Sequence, residues 1–308
     1  MTKKITAVLA TLTMIISLAA CGSKTSNETT TAEDTISEVV TEEADTTEEA
    51  TEATETEDTD KSEEATEAED KTAKDETEKE DESSTEAEKE EETAQAKPQS
   101  KEEIVAYFNT AVNKVKTDAK SVTSPYAKIS LAGNMTLPSS LNGILKILGG
   151  ADEFIGGQLE KNSRTTSETY TGADIKAKFP VEGESYSSKL TAADVKSATC
   201  TEKDGKYTIT ITTVADGKSS NVQHGQGHAP KAFNVVLPGV VNDNIPGVAT
   251  SIVGTASMNY PSSTVKIVVD AKTGNVISAI YDLYWTINFD KAGVVIPFLT
   301  STAYNVNF

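Results

Sequence analysis

The last two thirds of this 308-residue sequence predict an α+β fold, with helices packed on a C-terminal antiparallel β-meander. Three observations lead there. All 17 aromatic residues lie at or beyond Tyr107, so only that part of the chain has the material for a core. Apolar residues between 101 and 119 recur at helical spacing. From Val265 to Phe308 they recur every second residue, as on a half-buried strand.

The elements follow in order. Ser100-Lys101-Glu102-Glu103 has the form of a capping box, a hydroxyl at the cap and a carboxylate three residues on. The stripe Ile104, Val105, Phe108, Ala111, Val112 and Val115 that follows shares one face, and predicts a helix over 101–119. A second helical pattern, Leu141, Ile144, Leu145 and Leu148, runs from Pro138 to Gly149-Gly150. A third holds Phe154, Ile155 and Leu159, interrupted by Gly156-Gly157.

The period then changes. Ser197–Thr201 and Lys206–Val214 flank Glu202-Lys203-Asp204-Gly205, which predicts a hairpin. A strand is expected over Ile252–Tyr260 and another through Val265, Ile267 and Val269, ending at the turn Lys272-Thr273-Gly274-Asn275. The clearest strand carries Ile277, Ala279, Tyr281, Leu283, Trp285, Ile287 and Phe289 on one face, with Ser278, Asp282, Thr286 and Asn288 on the other. After Asp290-Lys291-Ala292-Gly293 the alternation resumes at Val294, Ile296 and Phe298, and returns at Tyr304, Val306 and Phe308. One apolar sheet face must be covered, either by the helices or by curling into a half-barrel.

The chain before this domain has a different character. Met1-Thr2-Lys3-Lys4 is a short cationic start, and Ile5 to Leu18 is an apolar run broken only by Thr and Ser. It is too short for a transmembrane helix, which needs about 20 apolar residues, and has the form of a secretory signal. Leu18-Ala19-Ala20-Cys21 resembles the lipobox of bacterial lipoproteins. That resemblance implies a signal peptide over 1–20, cleavage after Ala20, and lipidation of the Cys21 thiol by fatty acyl groups. Residues 22–99 hold 30 Asp and Glu, 7 Lys, 17 Thr and no aromatic residue, a net charge of −23. Such composition offers too little apolar surface to offset the entropy of ordering, so 21–99 is expected to be a disordered, lipid-anchored tether. Its threonines are candidate glycan acceptors.

The acidity belongs to the tether alone. Residues 100–308 carry 19 Lys and Arg against 18 Asp and Glu, so the globular domain is almost neutral and no nucleic-acid binding is expected. A helix, further helices, and a meander turning at Asp270-Ala271-Lys272-Thr273-Gly274 resemble many uncharacterised bacterial surface lipoproteins. More distantly, that order is similar to the lipoprotein-carrier fold of the LolA and LppX kind. The carrier resemblance implies a hydrophobic cavity for acyl chains.

Candidate chemistry is sparse. The only histidines are His224 and His228 in Gln223-His224-Gly225-Gln226-Gly227-His228. Their i, i+4 spacing suits a metal site on a helix, but the two glycines argue for a loop and no further ligand is near in sequence. No Gly-x-Ser-x-Gly elbow is present and no cofactor is expected. Cys200 is the one thiol besides Cys21, and a small buried apolar role suits it in a strand. Tyr281, Leu283, Trp285, Ile287 and Phe289 are the candidates to line a ligand cavity, with core packing as the plainer role. The expected function is a non-enzymatic, membrane-anchored lipoprotein on the extracytoplasmic face, holding a lipid or other hydrophobic ligand. Two alternatives are a structural or adhesive surface module for protein or glycan, and an envelope-polymer hydrolase.

Overall fold

The computed structural model describes residues 97–139, 146, 150–245, 250–251 and 253–308. Helix α1 (Lys101–Asp118) opens with the expected capping box. Ser100 Oγ accepts from Glu103 N at 3.2 Å, and the Glu103 carboxylate accepts from the backbone N–H of Ser100 at 3.1 Å and of Gln99 at 2.8 Å. Those bonds occupy donors that a helix start leaves orphaned. Ser100→Ala is expected to cost about 1 kcal/mol, read as a lower urea midpoint at an unchanged slope.

The buried stripe of α1 is the predicted one, Ile104 through Val115, with Lys116 in addition. It joins a single apolar cluster with residues of every long strand. Tyr107 on the same helix meets Tyr207 edge to face at 5.8 Å. The helical pattern at 141–148 lies outside the described residues. Helix α2 (Ala151–Asn162) runs through Gly156-Gly157, although each glycine costs about 1 kcal/mol of propensity. Ile155 and Leu159, one turn apart and both buried, supply the packing that outweighs this cost. Helices α3 (Ala173–Lys178) and α4 (Pro238–Asp243) are short.

Nine strands form one antiparallel, unclosed sheet. They are β1 (Ser121–Leu131), β2 (Glu168–Thr171), β3 (Val195–Lys203), β4 (Lys206–Thr213), β5 (Asp216–Ser219), β6 (Ala256–Tyr260), β7 (Thr264–Asp270), β8 (Val276–Phe289) and β9 (Val294–Asn307). The main order is β2-β1-β9-β8-β7-β4-β3, so the sheet is not purely C-terminal: β1, which follows α1, pairs along β9. β8 pairs β9 along its length, and its opposite edge is shared by β7 at 276–282 and β6 at 286–289. β5 pairs β6.

Several turns follow from local chemistry. The β3–β4 hairpin closes through Asp204 and Gly205, both at positive φ (51° and 69°), the geometry that Asp-Gly favours in a two-residue turn. At the β7–β8 turn, Asp270 Oδ1 accepts from Lys272 N, Thr273 N and Thr273 Oγ1. These bonds hold the Asp270 carboxyl below its ordinary range, the Thr273 backbone bond most of all.

Three strand expectations are corrected. The strand expected from Ile252 begins at Ala256, because residues 250, 251 and 253 are helical and Gly254 N closes that turn on Thr250 O at 2.9 Å. On β8 the inward series begins at Val276, not Ile277: the successive β7 residues Val268 and Val269 pair with Ser278 and Val276, so Ile277 is the extra residue of a bulge, leaving Val276 buried and Ile277 half-exposed. Thr286 and Asn288 lie on the face expected to be polar, and both are nonetheless buried at the end of β8 that pairs with β6. Asn288 Nδ2 donates there to Ser257 O and Asn259 Oδ1.

Candidate functional site

Three groups of side chains carry the chemistry of the domain. The first is the apolar face of β8. Trp285 is 0% exposed, stacks on Phe298 of β9 with centroids 4.2 Å apart, and donates its indole N–H to Thr300 Oγ1 at 3.0 Å. Tyr281 sits amid Phe179, Phe233 and Tyr304, each edge to face at 5.6–6.3 Å. Leu283, Ile287 and Phe289 are also buried. The Tyr281 hydroxyl is buried without a hydrogen-bond partner, and burial raises its pKa far above the ordinary phenol range.

The second group gathers around the histidine loop. Gly225 and Gly227 adopt positive φ (74° and 76°), which keeps 223–228 a loop. Gly227 also has no room for a side chain, because a Cβ there would lie 2.6 Å from Asp216 Oδ1. The Asp216 carboxylate at the start of β5 accepts from the backbone N–H of His228 at 2.7 Å and of Ala229 at 2.8 Å. His228 Nδ1 meets Asp194 Oδ1 at 2.8 Å, and Lys231 Nζ donates to the same oxygen at 2.7 Å. Thr191 donates to Asp194 Oδ2 through both N and Oγ1, each at 2.7 Å.

Asp194 thus receives four bonds with its side chain 4% exposed. Burial works to raise its pKa, but the bonds from Lys231, Thr191 and His228 outweigh it and hold the carboxyl at about 2. The sequence reading missed Asp194, Asp216 and Lys231, because they meet His228 only through the fold. One signal was legible: Thr191-Ala192-Ala193-Asp194 has capping-box form, and the pair caps the 3-10 turn Ala192–Asp194.

The third group surrounds Lys116, which is buried on α1 and donates to Val181 O at 2.6 Å and Glu184 O at 2.9 Å. Burial draws its ammonium down to about 8, against the pull of Glu184 and Glu182. Burial pushes the Glu182 carboxyl up to about 7, against Lys178 and Lys116. His224 belongs to this neighbourhood: burial lowers its pKa, Glu184 opposes and Lys116 adds to the effect, and its Nδ1 is buried without a partner.

The structure therefore places the two histidines in different settings, His228 on Asp194 and His224 near Lys116 and Glu184. Among the described residues no cluster of three or more His, Cys, Asp or Glu is arranged to hold a metal ion. Cys200 lies half-buried on β3 opposite Ile209, with burial raising its thiol pKa, so it is not an activated thiolate. Cys21 lies outside the described residues. Among the described residues no helix is long and apolar enough to cross a membrane. Comparison with protein-family models, curated proteins and solved structures finds no match to this chain.

Proposed function

We propose that this chain is a non-enzymatic cell-envelope lipoprotein, held to the extracytoplasmic face of the membrane by lipid on Cys21, with residues 21–99 as the tether and 100–308 as the displayed domain. The observation that carries the reading is Leu18-Ala19-Ala20-Cys21 at the end of a cationic start and a short apolar run. Two or three acyl chains give stable attachment where one gives only marginal binding, since each buried methylene contributes about 0.8 kcal/mol. For the displayed domain, a structural or binding role at the surface is the better supported activity. Two of the side chains expected to line a ligand cavity are packed against other rings of the core: Trp285 is stacked on Phe298, and Tyr281 is enclosed by three rings.

Carriage of a hydrophobic ligand, with the sheet curled as a half-barrel, is the second reading. The unpartnered Tyr281 hydroxyl favours it, because a buried donor is costly unless something accepts from it. The attachment is tested by expressing wild type and Cys21→Ala with a labelled fatty acid. The wild type should carry label and sediment with membranes, and the variant should lose both. A variant that stays labelled and membrane-bound overturns the proposal. Mass spectrometry of lipid extracted from the natively purified protein separates the two activities, since only the carrier reading expects bound lipid.

A further inference from the structure

We propose that the open edge of β3 is a docking surface for a second copy of this chain, which adds its own β3 antiparallel about a two-fold axis at Thr199. β3 ends the main sheet and pairs β4 alone. At nine residues it is the longest strand with an open edge among the described residues, where β2 and β5 have four each. Its hairpin settles which backbone groups face outward. Lys203 and Lys206 flank the two-residue turn and pair with each other, so they exchange backbone bonds, and the alternation of an antiparallel ladder turns Thr201, Thr199 and Ser197 toward β4 as well. The N–H and C=O groups of Ala198, Cys200 and Glu202 therefore face away from β4, a row of donors and acceptors that another strand can take up. The row has a definite end. Val195 O accepts from Lys101 Nζ at 3.3 Å, and a bulge between Val195 and Ser197 breaks the register there.

The side chains select what pairs with this row. Edge strands are commonly kept apart by charge, yet Ser197 to Thr201 carries none, and the charges that flank it are Lys196 on one side and Glu202 and Lys203 on the other. With the axis at Thr199, each residue meets the one equally far beyond it. Lys196 then lies opposite Glu202 of the second copy, twice by symmetry, Ala198 lies opposite Cys200, and Thr199 lies opposite itself. The backbone bonds run between Ala198 and Cys200, which are small and half-buried, while Lys196, Thr199 and Glu202 are exposed and free to meet their counterparts. Only this axis sets opposite charges against each other within the strand while matching outward-facing groups to outward-facing groups. The surface complements itself, and its small area makes the pairing weak and reversible. It does not depend on lipidation, so its test stands apart from that of Cys21.

The test is sedimentation velocity of the full-length chain in detergent over a micromolar to millimolar concentration series. Wild type should pass reversibly from one copy to two. Glu202→Lys sets like charges together at both ends of the interface and should raise the dissociation constant about 10-fold, and Lys196→Glu should do the same. Combining the two substitutions reverses both charges and should bring the constant back to within about 3-fold of wild type. Thr199→Cys in a Cys200→Ala background supplies a second readout. The residues on the axis are a non-hydrogen-bonded pair with Cα atoms about 4.5 Å apart, within the span of a disulfide, so mild oxidation should link two copies through position 199. A chain that stays single, that grows beyond two copies, or that keeps its affinity in Glu202→Lys overturns the proposal. So does a double variant that pairs no better than the single ones, or a Thr199→Cys chain that oxidation leaves unlinked at that position.

Discussion

Trp285→Ala is expected to lower the unfolding free energy of the domain by about 3–5 kcal/mol, the range for truncating a fully buried large aromatic. The side chain has no exposed surface, lies against the Phe298 ring, and gives its N–H to Thr300 Oγ1. Alanine removes the buried apolar area and the ring stacking, and leaves a cavity that a nine-stranded ladder cannot collapse into. Urea unfolding followed by far-UV circular dichroism measures the loss. Phe298→Ala should cost a similar amount. The double variant should cost less than the two single losses together, with the stacking itself contributing roughly 0.5–1.5 kcal/mol. Because Trp285 is the only tryptophan, its emission in Phe298→Ala reports directly on whether the partner cavity admits water. A loss under 1 kcal/mol for Trp285→Ala would mean that the indole is a loosely held surface of a cavity, which would favour the carrier reading.

How legible the domain is from its sequence depends on how far apart the cooperating residues are. The α1 stripe and its capping box are local, as are the Asp204-Gly205 turn and the alternation of β8, and each appears where periodicity places it. Strand β1 is hidden by Pro125, since a proline cannot donate to a ladder and argues against a paired strand. The fold accommodates it in a bulge: between Thr123 and Tyr126 the register on β9 slips, and Ser124 and Pro125 occupy the space of one residue. Arg164, from after α2, reaches this bulge and donates to Ser124 O at 2.8 Å. A contact across 40 residues leaves no trace in local pattern. Ile277 shows the opposite case, in which the pattern is real but a single bulge reassigns which residue begins the inward series.

The same distinction governs the polar centre on Asp194, and it sets up the second large effect. Thr191, Asp194, His228 and Lys231 come from two separated segments, and every partner of the carboxylate is a donor. Asp194→Asn keeps the shape but aims an amide N–H₂ at donors on one side or the other. The expected cost near neutral pH is about 2–4 kcal/mol, because the variant breaks charge-assisted bonds in a site that is mostly closed to water.

The effect must also depend on pH in one direction. The folded carboxyl is held at about 2 against an ordinary value of 3.8, so the folded state favours the ionised form. Its contribution is fully present above about pH 4 and is lost as pH falls toward 2, where the folded carboxyl also takes up a proton. The stability difference between wild type and Asp194→Asn should therefore be level from neutrality down to about pH 4, and then narrow. Urea denaturation of both proteins at stepped pH reads it. A difference that stays constant down to pH 2 would show that the folded and unfolded carboxyls titrate alike, and that the bonds from Lys231, Thr191 and His228 do not favour the ionised form.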